Sequence, residues 1–288
     1  MIARLLASPL PLLVPLALGL LILLALPAVA GLLLAFTDYD GVSAPRWVGI
    51  ENFWSMASDP LFTTALMNSA GVALVSVPLR LGLALGLALL LHRRRSGLAA
   101  SAVFLPTAVP DIAWALLWLW IANPFYGPLA WGLAAMGLRP DIWLIDPVAA
   151  KGLLVFITLF LIGEVFIVLL AARREVPATL YEVASLEGAS RSATFRRVTL
   201  PLMMPALLFL AARDVALSLQ TTFTPALVVT KGGPNYATLM LPLYAYQTGF
   251  EYLRLGLAAA QTGVMLALTL AMMTVQAWAL KRWRALGL

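Results

Sequence analysis

The sequence has no cysteine and a single histidine, which removes a disulfide framework and a thiolate metal site. That histidine, His92, stands beside Arg93-Arg94-Arg95 and reads as a solvated loop residue. Charge is scarce: 11% of the residues are charged, against roughly 25% in a soluble domain. The three lysines, Lys151, Lys231 and Lys281, are followed by Gly, Gly and Arg, so the Lys-Ser/Thr end of a P-loop is missing. HExxH and GxSxG are missing too. No catalytic, cofactor-binding or metal constellation emerges. If such a chain moves solute uphill, its energy comes from an ion gradient or a partner.

What is abundant is apolar: 62% of 288 residues, with a mean hydropathy of +0.95. The composition defines an all-α polytopic membrane protein. The net charge of +6 reads as membrane topology rather than nucleic-acid binding, because the basic residues cluster between apolar runs. Six spans are expected, at about 9–36, 66–91, 98–121, 152–172, 202–218 and 255–280, in one membrane domain over 1–288. Arg4 and Ala28-Val29-Ala30 imitate a signal peptide, but the apolar run exceeds the roughly 7–15 residues of a signal core, so a retained span is expected.

Features inside the runs sharpen this. Gly82 and Gly86 have the GxxxG spacing that admits a second helix closely. Arg80, beside Pro78, sits near mid-span and must face a water-filled cavity, pair within protein or snorkel. Pro106 and Pro110 interrupt the start of span 3, and Glu164 is expected to be buried in span 4. Arg213 and Asp214 adjoin in span 5, but helix neighbours point about 100° apart, so they need not pair with each other. Residues 37–63 read as a polar loop, 221–254 as a long loop punctuated by Gly and Pro, and 123–150 as an interfacial stretch with Trp131 and Trp143.

With both termini inside, 12 of the 19 basic residues lie on the inner side: Arg4, Arg93–Arg95, Arg173, Arg174, Arg191, Arg196, Arg197, Lys281, Arg282 and Arg284. The stretch 177–201 is then cytoplasmic. Pro177 suits the first position of a helix over 178–187, from which Tyr181 and Glu182 project. Gly188 permits a sharp turn, and Ser190 suits the N-cap of a second helix. Two short helices joined firmly to two spans would make a lever with a docking knob. An ordinary amphipathic loop on anionic headgroups has the same composition.

Glu182-Val183-Ala184, then Gly188, then Leu200-Pro201 resembles the EAA loop of ABC importer permeases, E-A-A-x3-G-x9-I-x-L-P. Val183 and Val198 are apolar departures from that pattern, and Glu187 stands where an Asp is frequent. FTDYD (36–40), WVGIENF (47–53), the run 104–129, the run 174–190 and TKGGPN (230–235) resemble the binding-protein-dependent sugar importers of MalF/UgpA type, over nearly the whole chain.

The resemblance implies a type I importer permease in a bacterial or archaeal inner membrane. It implies a heterodimer with a second permease subunit, two copies of a cytoplasmic ATPase that alone binds ATP and Mg, and an extracytoplasmic solute-binding protein. The substrate would be a sugar, oligosaccharide or glycerol phosphate. ATPase coupling would fall to Tyr181, Glu182, Ala184, Glu187 and Gly188. Substrate contacts would fall to Gln220, Thr221 and Phe223, with Glu164 and Arg80 behind them. An ion-coupled carrier using Asp111, Glu164 and Asp214, or a non-transport scaffold for a cytoplasmic partner, are the other readings.

Overall fold

A computed structural model describes residues 10–93 and 97–285. Arg4, Arg94 and Arg95, part of the basic count above, lie outside the described residues. The chain falls into two compact units, residues 1–59 with 245–265 and residues 60–244 with 266–288.

In the first unit, α1 runs over 10–34 as Leu10–Leu20, a wide π turn at Leu21–Ala25, and Leu26–Leu34. The π turn ends just before Pro27, which cannot donate to the carbonyl four residues back and whose ring crowds it. Leu23 and Leu24 are 80% and 67% exposed, as a lipid-facing span requires. The expected polar loop is ordered. Strand β1 (Thr37–Asp38) pairs antiparallel with β2 (Arg46–Trp47), with Asp38 and Arg46 opposite each other and ion-paired at 2.9 Å. Phe36 packs on Trp47 and on Phe53 of α2 (Glu51–Ala57), at centroid distances of 5.7 and 5.3 Å. The Asn52 amide donates to the carbonyls of Ala35 and Thr37 at 2.9 Å. Thus FTDYD and WVGIENF fold against each other.

The second unit is built on α3 (Pro60–Leu91). Its buried positions, among them Ala65, Ser69, Val72, Ser76, Arg80, Ala84 and Ala88, recur every three or four residues and form one face. The core cluster around Ala84, Ala88, Phe166, Leu169, Met203 and Leu210 joins this face to the helices that follow. The Gly82/Gly86 side is different: a Cβ on either glycine would meet nothing within 4 Å. Close packing within the chain uses Ala84 and Ala88 instead.

Two expected spans are broken. Helix α4 (Gly97–Phe104), with its 3-10 extension Leu105–Ala108, meets α5 (Asp111–Ile121) at a 96° bend. Val109 is extended, the conformation favoured ahead of a proline, and Pro110 opens the new helix. A short helix, α6 (Pro128–Ala135), follows. Trp131 is exposed, whereas Trp143 is buried. Helix α7 (Pro147–Leu159), capped by Asp146 accepting from the Ala149 N–H at 2.7 Å, meets α8 (Gly163–Glu175) at 52°. Four helices, or six spans if each bent pair counts once, are long and apolar enough to cross a membrane among the described residues.

Beyond α8 come α9 (Ala178–Leu186) and α10, continuous over Arg191–Thr230. The expected loop after span 5 is partly helical: α10 extends to Thr230, and α11 (Leu241–Tyr246) and a π turn Gln247–Glu251 precede α12 (Leu255–Ala285). Polar groups of α3 hold the segment between α10 and α11. The Asn68 amide donates to the Tyr236 and Leu239 carbonyls at 2.8 and 3.1 Å, and the Ser69 hydroxyl accepts from the Leu241 N–H at 2.7 Å.

Gly163 sets the second bend. A Cβ there would lie 2.6 Å from the Thr107 hydroxyl and 2.8 Å from Phe104 Cα, while its N–H donates to that hydroxyl at 2.9 Å. Gly163→Ala should therefore destabilise the protein by about 1–3 kcal/mol, as overpacking does. Gly152→Ala, with open space around its Cβ, should leave thermal unfolding in detergent unchanged or slightly raised; equal behaviour of the two variants would refute this packing account.

Candidate coupling site and translocation face

Helix α9 begins where chain stiffness places it. Val176 is extended ahead of Pro177, and Pro177 occupies the N-cap, one position earlier than expected. The helix has two faces. On the inner one, Ala184 is buried, and the Tyr181 hydroxyl shares a 3.0 Å hydrogen bond with that of Thr199. The Arg173 guanidinium lies 4.4 Å from the Tyr181 ring centroid, within cation–π range. Tyr181 therefore ties α9 to α8 and α10 rather than projecting from them. On the outer face Leu180, Glu182, Val183, Leu186 and Glu187 are exposed, with Leu186 at 88%.

The helix ends in a Schellman turn. The Ala189 N–H reaches the Ala184 carbonyl at 2.9 Å and the Gly188 N–H the Ser185 carbonyl at 3.1 Å. Gly188 has φ +72°, a left-handed conformation that costs a residue with a Cβ roughly 1–2 kcal/mol. Ser190 then caps α10, accepting from the Ala193 N–H at 3.2 Å.

His92 is not a free loop residue. Arg173 donates to its Nε2 at 3.2 Å, so its Nδ1–H donates to the Leu89 carbonyl at 2.6 Å. Burial first, then the charges of Arg173, Arg93 and Arg174, hold its pKa below the ordinary histidine value, opposed by the Leu89 bond.

Four charged groups meet across the spans. Arg80 is 2% exposed; its Nε donates to Asp214 Oδ2 at 3.0 Å and its Nη2 lies 2.7 Å from Oδ1. Arg80 thus faces protein, not a cavity. The next residue, Arg213, turns away and pairs with Glu164. Glu164, expected to be buried, is 51% exposed at its side chain, and Arg213 is 36% exposed. Gln220 is exposed on α10, seven residues beyond Arg213, which returns it to nearly the same helix face. Thr221 is half-buried and donates to the Ser218 carbonyl at 3.3 Å, and Phe223 is half-buried. Glu164 and Gln220 thus border the α10 face that Arg213 marks, and Arg80 lies behind it. The sequence signals for the second pair were an isolated Glu in span 4 and an Arg-Asp doublet in span 5; what they lacked was the partner.

The broken spans and the short helix between spans 4 and 5 define a type I importer permease fold. Residues 78–285 match the family described as binding-protein-dependent transport system inner membrane component, and the chain belongs to that family of ABC importer permeases. It is 33% identical over 261 residues to a probable ABC transporter permease protein, YesP, of Bacillus subtilis, covering 88% of this chain and 84% of that one. It is 33% identical over 227 residues to the trehalose/maltose transport system permease protein MalF of Thermococcus litoralis, covering 76% and 74%. The crystal structure of a bacterial ABC transporter involved in import of the acidic polysaccharide alginate shares the fold, with TM-score 0.79, 23% identity and 94% of each chain covered.

Removing one member of a buried ion pair strands the other, whereas replacing both leaves no unpaired charge. Arg80→Leu or Asp214→Leu alone should lower stability by about 3–5 kcal/mol, and the double replacement should recover most of that. Thermal unfolding of the purified variants checks it; additive losses in the double variant would contradict a coupled pair.

Proposed function

We propose that this chain forms half of a carbohydrate translocation pathway, opened and closed by separate ATPase subunits that dock on α9. The observation that carries the proposal is the two-faced build of α9. Its inner face is bonded to α8 and α10, and its outer face presents an apolar row, Leu180, Val183 and Leu186, flanked by Glu182 and Glu187. An exposed apolar row rimmed by charge fits a groove on a soluble partner. Because Gly188 and the Ser190 cap join α9 to the 40-residue α10, displacement of the knob is carried into a span. ATP-dependent affinity of the partner would bias two arrangements of the spans, which is alternating access.

In this reading α9 and both termini are cytoplasmic, in line with the basic clusters. A second, related permease completes the pathway, two copies of the ATPase hold the ATP and Mg, and a solute-binding protein supplies substrate. The substrate class rests on the relatives, one of which is a trehalose/maltose permease. The α10 face carrying Arg213 and Gln220, with Glu164 beside it, suits polyhydroxyl groups. A half-exposed ion pair within the spans faces water or protein rather than lipid. Thr221 and Phe223 complete the candidate contacts.

Glu182→Lys should leave membrane insertion intact and abolish both ATPase co-purification and ATP-driven uptake; normal uptake at normal expression would reject the docking assignment. Gln220→Ala and Phe223→Ala should each raise the apparent KM for sugar uptake about fivefold, the loss of one modest contact. Unchanged values in both would remove these residues from the pathway.

A further inference from the structure

A recess of about 650 Å³ lies behind α9, walled also by the C-terminal ends of α3 and α8 and the first turns of α10. His92, Arg93, Arg173 and Arg191 line it, and no Asp or Glu does. Leu90 and Phe195 give it an apolar wall. None of the three arginines has a carboxylate partner among the described residues. Among the described residues Arg173 is held by neutral groups: its Nη2 donates to His92, its guanidinium lies over the Tyr181 ring, and its Nε is buried with no partner.

Three guanidinium charges converging on a partly enclosed space repel one another more than they would in open water. No carboxylate among the described residues offsets them there. Guanidinium groups also match the oxygen geometry of phosphate. An apolar wall beside the charges suits a phosphate that carries an organic group.

We propose that this recess binds a phosphate-bearing anion, which braces α9 against the ends of α3 and α8. The same chemistry comes from a phospholipid headgroup at the ends of the spans or from a soluble phosphate. Bound there, the anion would bridge the α9 wall and the α3 and α8 ends. Its consequence for coupling rests on the docking role of α9; its binding does not.

The test uses the assembled importer with its partner subunits. The unfolding midpoint of this chain is followed in nanodiscs of phosphatidylcholine alone, with phosphatidylglycerol added, and with inorganic phosphate added instead. One or both anions should raise the midpoint by about 2–4 °C, and the arm that responds identifies the source. Arg93→Gln/Arg191→Gln should lose the rise, whereas Arg196→Gln/Arg197→Gln, with the same loss of charge outside the recess lining, should keep it. If the first double variant does not assemble, Arg93→Gln and Arg191→Gln singly should each need more anion for the same rise. No rise in the unsubstituted protein, an equal rise in the recess variants, or an equal loss in both double variants would overturn the site. An anion response lost in the recess variants with ATP-driven uptake unchanged would instead count against the docking role of α9 and leave the site standing.

Discussion

A guanidinium in the middle of an apolar span needs a partner or water, and most of the second unit can be understood from how Asp214 answers Arg80. Asp214 meets it with both oxygens, which fixes α10 against α3 at one depth and one rotation. Because helix neighbours diverge by about 100°, the same rotation turns Arg213 outward, where Glu164 at the start of α8 meets it. Two consecutive residues of α10 thus bind two different helices. One pair is sealed in the core, and the other stays half-exposed on a face that lipid cannot solvate.

The two ends of this arrangement are fastened differently. At one end α9 is held from behind by Tyr181, Thr199 and Arg173, leaving its outer row free. At the other, Asn68 and Ser69 of α3 fasten the backbone between α10 and α11. Helix α10 runs between them as one continuous element. Polar groups within an apolar bundle are few, and Asn68, Ser69, Arg80, Arg213 and Tyr181 each tie separate elements together. In a medium without water a hydrogen bond or ion pair has no competing solvent, so a small number suffices to set register.

The segment 177–201 was legible in the sequence because its determinants are local. A proline, a left-handed glycine and a serine cap act over a few residues, and they read as helix, turn, helix; the second helix, expected to be short, instead runs on without a break into span 5 as α10. The bend at Val109-Pro110 was signalled by the prolines, although its angle was not. The face of Tyr181 was misjudged because it depends on Thr199 and Arg173, eighteen and eight residues away. Glu164 was misjudged for the same kind of reason: span hydropathy shows that a residue is within a helix, not which way it faces. Gly82 and Gly86 had the spacing for close packing, yet the face used within this chain passes through Ala84 and Ala88.

The sequence by itself determined that the chain is a bundle of membrane helices, where a short polar helix interrupts it, and which family of importers it resembles. Those properties follow from composition, hydropathy period and motif spacing, which are sums over near neighbours. Only the tertiary structure decided that Arg80 closes on Asp214 across 134 residues, that Arg213 takes Glu164 instead, and that His92 joins Arg173 in a basic recess behind α9. The physical reason is that a charge within a span only has to find some partner. Which partner it finds is fixed by how the helices are rotated when their apolar faces pack.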